Sequence, residues 1–185
     1  MLKLYGGKFS RASIVQWCLE ELTIPYEYVL LDMQAGEHLE ADYTAINPIG
    51  KVPAIVDGDF KLWESGAILL YLADKYGKSE TAEQRAELAQ WILFANATLG
   101  PELLNEATRD HATVRLLKPI NQILELQPYL LGEQFSPADV AIGSTLGFFQ
   151  MRFQMDFSAF PAVIEYLKQL SARPAFQKTI GGRSA

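Results

Sequence analysis

The sequence predicts two successive units, a small α/β one of order βαβ-ββα over residues 1–77 and an all-α one over 82–185. Three observations predict it. Strand-like runs occur only before Gly77, two helical stretches are interleaved with them, and after Glu80 the apolar patterns have helical spacing. The order puts a crossover in the first part of the α/β unit and an antiparallel hairpin in the second.

The elements follow in order. Leu2 and Leu4 flank Lys3 in a short strand. A helix is expected from about Arg11. Ile14, Cys18 and Leu22 recur on one face, with Val15 and Leu19 alongside, until Pro25 ends it. Tyr26–Leu31 is aromatic and β-branched enough for a second strand. The polar stretch from Asp32 to Asp42 reads as a loop. Val52–Val56 and Phe60–Trp63 flank Asp57-Gly58-Asp59, a hairpin signal. A helix from Ser65 to Tyr76 carries Ile68, Leu69, Leu72 and Tyr76 at helical spacing. Polar Gly77-Lys78-Ser79-Glu80 is the expected boundary.

In the second unit Thr81-Ala82-Glu83-Gln84 is a capping box, because the Thr81 hydroxyl can accept a backbone N–H while Gln84 reaches back. Leu88, Trp91, Ile92 and Ala95 mark a buried stripe, and Gly100-Pro101 is expected to break the run. Leu116, Leu117, Ile120, Ile123 and Leu124 form another stripe, which Pro119 fits if it sits near the helix start. Ser136-Pro137-Ala138-Asp139 is a helix start with Ser136 as N-cap, Pro137 at N1 and Asp139 at N3. Phe135 and Val140 stand as a hydrophobic staple. A last helix is expected from Pro161 to Ala172.

Composition excludes several classes. Hydrophobic residues make up 49% and charged residues 21% of the 185, as in globular proteins. The longest apolar stretch, about Gly66 to Ala73, is too short to span a membrane, and no signal peptide is apparent, so the expected location is cytoplasmic. Cys18 is the single cysteine, which rules out an internal disulfide and a CxxC pair. With only His38 and His111 besides, no metal centre is expected. A net charge of −6 without a basic cluster argues against nucleic acid.

Four segments carry a family likeness. They are Asn47-Pro48-Ile49-Gly50-Lys51-Val52-Pro53-Ala54-Ile55, Glu64-Ser65 before a helix, Phe135-Ser136-Pro137-Ala138-Asp139, and Phe160-Pro161 through Arg173-Pro174-Ala175-Phe176. In this order and spacing the chain resembles the cytosolic glutathione transferases over essentially its whole length. Within them it is similar to the serine-type classes or a small bacterial class such as chi. The resemblance implies a thioredoxin-like first domain that binds glutathione and a helical second domain that lines the electrophile site. It also implies a homodimer and glutathione as co-substrate. The activity it implies is addition of glutathione to small hydrophobic electrophiles, a detoxification reaction.

Such a site must hold two carboxylates and an ammonium, and it must ionise a thiol of pKa about 8.5, of which only a few per cent is thiolate at neutral pH. The resemblance implies a cis bond at Val52-Pro53, leaving the Val52 main chain to pair with the cysteinyl backbone. Ser65 would offer its hydroxyl and nearby N–H groups to the γ-glutamyl carboxylate, with Glu64 facing the ammonium. Alternatively Ser65 caps its own helix. Lys51 and His38 are candidates for the glycyl carboxylate, His38 in an arrangement resembling the plant phi class. The thiol activator falls in Lys8-Phe9-Ser10-Arg11-Ala12-Ser13. Ser10 aligns with the hydroxyl of the serine-type classes, unless it serves as a helix cap. Arg11 could stabilise the thiolate or the glycyl carboxylate. Ser13 and Tyr5 are lesser candidates, and Cys18 reads as core. A glutathione-dependent peroxidase and a non-catalytic binding or interaction protein are the alternatives on the same fold. A disulfide-exchange enzyme would need a cysteine at about position 10, where Ser10 stands.

Overall fold

The structure is a computed structural model that describes residues 1–77 and 81–182. From Lys78 to Glu80, the expected boundary segment therefore lies outside the described residues. Two compact units emerge. One runs from Met1 to Gly77 and takes in the late segment Lys178–Gly182; the other runs from Thr81 to Gln177.

The first unit is β1 (Leu2–Gly7), α1 (Ala12–Glu21), β2 (Tyr26–Leu31), α2 (Ala41–Thr44), β3 (Ala54–Asp57), β4 (Phe60–Trp63) and α3 (Ser65–Tyr76). The sheet order is β2-β1-β3-β4. β2 runs parallel to β1, while β3 is antiparallel to both β1 and β4. This is the βαβ-ββα thioredoxin-like arrangement expected from the sequence. β1 alternates buried Leu2 and Leu4 with half-buried Lys3 and Tyr5, as a strand covered on one face should. α1 packs on β1, α3 packs on β3 and β4, and the two helices pack on each other. Their core residues Trp17, Leu19, Ile68 and Leu72 are fully buried. Each such side chain contributes about 1.5–3 kcal/mol of transfer free energy.

Four details differ from the expectation. β3 begins at Ala54 and ends at Asp57, where Val52–Val56 was expected, because the cis Val52–Pro53 bond precedes the strand. The buried face of α1 is Ala12, Val15, Trp17, Cys18 and Leu19, whereas Ile14 and Leu22 are only half-buried. Trp17, the largest side chain on the helix, turns the face toward itself. The Asp32–Asp42 stretch holds a short 3-10 turn at Glu37–Leu39, and α2 begins inside it. Tyr76 is 39% exposed because its hydroxyl turns outward to Asp57.

Asp57 sits at the hairpin and ties it to the end of α3. Its Oδ2 accepts from Lys75 Nζ at 2.6 Å, Tyr71 Oη at 2.8 Å and Tyr76 Oη at 3.0 Å. The Lys75 hydrogen bond, with help from the two phenols, holds the carboxyl below its ordinary range. A carboxyl depressed in the folded state stabilises above its unfolded pKa, about 3.9, and that contribution is lost as pH falls through the folded value. Urea midpoints measured down the acid limb should therefore drop more steeply for the native protein than for Asp57→Asn. Parallel acid limbs would contradict the assignment.

The second unit is α4 (Ala82–Phe94), α5 (Gly100–Leu104), α6 (Arg109–Leu124), α7 (Pro137–Phe153), α8 (Pro161–Ser171) and the short α9 (Pro174–Phe176). The capping box at Thr81 forms, with Gln84 N–H donating to Thr81 Oγ1 and Thr81 N–H to Gln84 Oε1, both at 3.2 Å. Leu88, Ile92 and Ala95 are buried as the stripe requires.

Two expectations are corrected here. Gly100-Pro101 does not break the helical run. A π turn at Ala95–Leu99 carries α4 into α5 with helical dihedrals throughout, and Gly100 N–H reaches back to the Ala95 carbonyl. Pro101 then stands in the first turn of α5, directly after the π turn. Pro119 lies deep inside α6, which starts at Arg109. It is tolerated on the exposed side of a helix whose other face buries Leu116, Leu117 and Ile120. Of the aromatic run in α7 only Phe149 is buried, with Phe148 and Phe153 packed around it at the surface.

Candidate active site

The segment between β1 and α1 is shaped by close approach. A Cβ on Gly6 would overlap the Tyr28 hydroxyl and the Ala12 methyl, so only glycine lets the end of β1 lie against the start of α1. Phe9 then takes a positive φ of 58°, which turns the chain into the helix. Ser10 follows. Its Oγ accepts from Gly7 N–H at 3.1 Å and from Ala12 N–H at 3.3 Å. A serine hydroxyl has two acceptor lone pairs and one proton. Both acceptor directions are filled by the main chain, which leaves the proton to donate elsewhere. The cap role and the donor role considered for Ser10 are therefore compatible. Ser13, by contrast, donates its hydroxyl to the Ser10 carbonyl at 3.0 Å and has a local structural role.

Arg11 does not point along its own loop. Its Nη2 donates to Ser65 Oγ at 3.0 Å, across 54 residues of sequence. Ser65 opens α3 and is 4% exposed. Before it, Glu64 is held at φ 71°; partial burial pushes the Arg11 guanidinium below its ordinary range, and the charge of Glu64 acts against that. Arg11, Glu64 and Ser65 thus form one cluster.

The Val52–Pro53 bond is cis. The segment leading to it is fixed from behind. The Lys51 carbonyl accepts from Asn47 Nδ2 at 2.6 Å and from the Tyr43 hydroxyl at 2.5 Å. Asn47 Oδ1 in turn accepts from Ile49 N–H at 3.0 Å. Burial pushes the Tyr43 phenol up to about 12, so it remains a donor at neutral pH. Asn47 and Tyr43 are the positioning residues that sequence reasoning did not single out. Asn47 was legible as the head of the Asn-Pro segment, but Tyr43 carried no signal. The Lys51 side chain is exposed.

His38 sits in the 3-10 turn, half-buried, with Nδ1 buried and without a hydrogen-bond partner. Its loop is drawn to the Lys51 segment at Gly50. There φ is 66°, and a Cβ would meet Leu39 Cδ2 at 3.0 Å and the His38 carbonyl at 3.1 Å.

Other candidates separate from these. Cys18 is fully buried in α1, and burial, with Glu21 adding to it, holds its thiol well above the usual range. Tyr5 is half-buried, its ring 5.8 Å from that of Tyr43. A surface pocket within the same unit is lined by Lys8, Phe9, Tyr28, Leu30, Lys178 and Thr179. It takes in Lys8 and Phe9 of the segment expected to hold the thiol activator, but none of Ser10, Arg11, His38, Lys51, Val52, Pro53, Glu64 and Ser65. Among the described residues, no helix is long and apolar enough to cross a membrane.

Comparison with known proteins bears on this arrangement. Residues 1–74 match the family described as Glutathione S-transferase, N-terminal domain, and residues 110–169 match Glutathione S-transferase, C-terminal domain. The chain is 32% identical to the disulfide-bond oxidoreductase YfcG of Escherichia coli (strain K12), over 95% of this chain and 92% of that one. It is 30% identical to the glutathione S-transferase GstB of the same strain, over 97% and 98%. A solved glutathione transferase from Burkholderia graminis, with two glutathione molecules bound per subunit, is 32% identical. It superposes with a TM-score of 0.81 over 96% of this chain and 86% of that one.

Proposed function

The chain belongs to the glutathione S-transferase family, and on that premise we propose that it conjugates the glutathione thiolate to small hydrophobic electrophiles, as a cytoplasmic homodimer serving detoxification. The observation that carries this reading is the Ser10 hydroxyl, whose acceptor sites are satisfied by Gly7 and Ala12 and whose proton is left to donate. A donor of this kind favours the anionic form of a bound thiol. Lowering the thiol by about two units requires about 2.7 kcal/mol of preferential stabilisation of the anion. One charge-assisted hydrogen bond, aided by the start of α1, is of that size.

In this reading the other groups bind and orient. The Val52 main chain pairs with the cysteinyl backbone. Glu64 and Ser65 take the γ-glutamyl end. His38 and Lys51 take the glycyl carboxylate. Asn47 and Tyr43 keep the Lys51–Val52 segment in place.

A second reading is favoured by the similarity to a disulfide-bond oxidoreductase. The same thiolate can reduce a disulfide or an organic hydroperoxide. Buried Cys18 takes no part, so the reducing thiols would both be those of glutathione.

Titrating glutathione into the protein across pH, with the thiolate followed by its ultraviolet absorbance, tests the shared premise. The bound thiol should ionise well below the free peptide, by on the order of two units. Binding with an unshifted thiol would turn the assignment toward a non-catalytic carrier, and absence of binding would reject it. Turnover of aryl halides against disulfides and hydroperoxides then separates the two enzymatic readings.

A further inference from the structure

The surface pocket of the first unit stands apart from the residues assigned to glutathione. Its volume is about 420 Å³, within the range of small-molecule sites. Three parts of the chain build it. Lys8 and Phe9 come from the segment between β1 and α1, Tyr28 and Leu30 from β2, and Lys178 and Thr179 from the late segment. The late segment is anchored there. Lys178 Nζ donates to Glu20 Oε2 at 2.7 Å, Glu20 Oε1 accepts from the Tyr26 hydroxyl at 2.8 Å, and Thr179 is buried.

The pocket is apolar with one cation to spare. Phe9 and Leu30 are 61% and 63% exposed, so two large apolar side chains face water around it. Phe9 does so from a φ of 58°, a backbone region that a phenylalanine occupies only at a cost. Glycine would make the same turn without that cost. Lys8 holds its ammonium 5.3 Å from the centroid of the Phe9 ring. Lys178 is paired with Glu20, whereas among the described residues no carboxylate lies within ion-pair distance of Lys8. None of the lining residues is acidic, in a chain of net charge −6. A flat apolar body laid against Phe9 and Leu30 would bring an anionic substituent to Lys8. We infer that this pocket is a second binding site, for a small flat apolar molecule carrying one carboxylate or sulfonate. The inference does not depend on the glutathione reading above.

Anilinonaphthalene sulfonate is such a molecule, and phenylnaphthylamine is the same body without the anion. Fluorescence titration of both into the native protein, Lys8→Gln and Leu30→Glu tests the site. Each titration is repeated with saturating S-hexylglutathione, which covers the glutathione residues and the space beside the thiol. Lys8→Gln should bind the sulfonate roughly 3- to 10-fold more weakly, between the values of an exposed ion pair and a charged hydrogen bond, and should bind the neutral amine as the native protein does. Leu30→Glu, which puts a carboxylate into the apolar contact, should weaken both probes by at least about 10-fold. Its circular dichroism should match that of the native protein. S-hexylglutathione should displace neither probe. Displacement of the sulfonate by S-hexylglutathione, or equal affinities across the native protein and both variants, overturns the assignment. Failure of S-hexylglutathione to bind counts against the glutathione reading alone, because the two variants still decide this one.

Discussion

Ser10→Ala should lower turnover at saturating glutathione by roughly 10- to 100-fold, and it should return the bound thiol about one to two pKa units toward its free value. The argument is one of proton position. With Gly7 and Ala12 N–H groups both directed at Ser10 Oγ, the hydroxyl proton is the only part of the side chain left for a ligand. Alanine removes that donor and strips two main-chain N–H groups of their acceptor, so a stability loss of about 1 kcal/mol should accompany the kinetic one. Ser10→Thr separates the two effects because it keeps both lone pairs and the proton. Threonine should retain the shifted thiol. Pre-steady-state conjugation followed across pH makes the comparison. An alanine variant with native turnover and a native thiol pKa would remove Ser10 from the chemistry and leave it as a cap.

Asp139→Ala should be the most damaging single change for folding, at roughly 3–5 kcal/mol. Asp139 is fully buried and accepts four hydrogen bonds: Ser136 N–H at 2.8 Å, Tyr166 Oη at 2.9 Å, Leu130 N–H at 3.0 Å and Ser136 Oγ at 3.0 Å. It therefore joins three pieces of the helical unit, namely the loop before α7, the start of α7 and the middle of α8. Burial alone pushes such a carboxyl up, and the four donors act against it. Alanine leaves Leu130 N–H and the buried Tyr166 hydroxyl without their acceptor, each costing about 1–3 kcal/mol. Chemical denaturation followed by circular dichroism should show the midpoint fall with little change in slope. A loss under about 1 kcal/mol would mean that water replaces the carboxylate, contrary to its complete burial.

Much of this was legible in the sequence wherever the controlling interactions are local. The start of α7 is written in four consecutive residues, and β2, β4 and α3 fall at the expected bounds because their neighbours include Pro25, Gly58 and Ser65. Local rules misled where a regular element absorbed an irregular residue. Pro101 and Pro119 both looked like helix limits. The first is accommodated by widening the preceding turn, and the second by exposure on a helix anchored along its opposite face. The site divides in the same way. Val52-Pro53 and Glu64-Ser65 were recognisable as short motifs. The bond from Arg11 to Ser65 was not, because it is made by folding β1, α1 and α3 around one sheet. The same holds for Tyr43, which reaches the Lys51 carbonyl only because α2 forms in a stretch that reads as polar loop.

Cys18 closes the account from another direction. It is the single thiol of the chain, and it faces the core of the first unit from the middle of α1. A thiol reagent in solution meets it only when α1 lifts from the sheet. Its labelling rate, compared with that of an unstructured cysteine, is therefore a clock for opening of the very helix whose first residues follow Ser10 and Arg11. Ligands that grip that helix should slow the clock, and the amount by which they do so reads binding as protection, with no chromophore, no turnover and no introduced label.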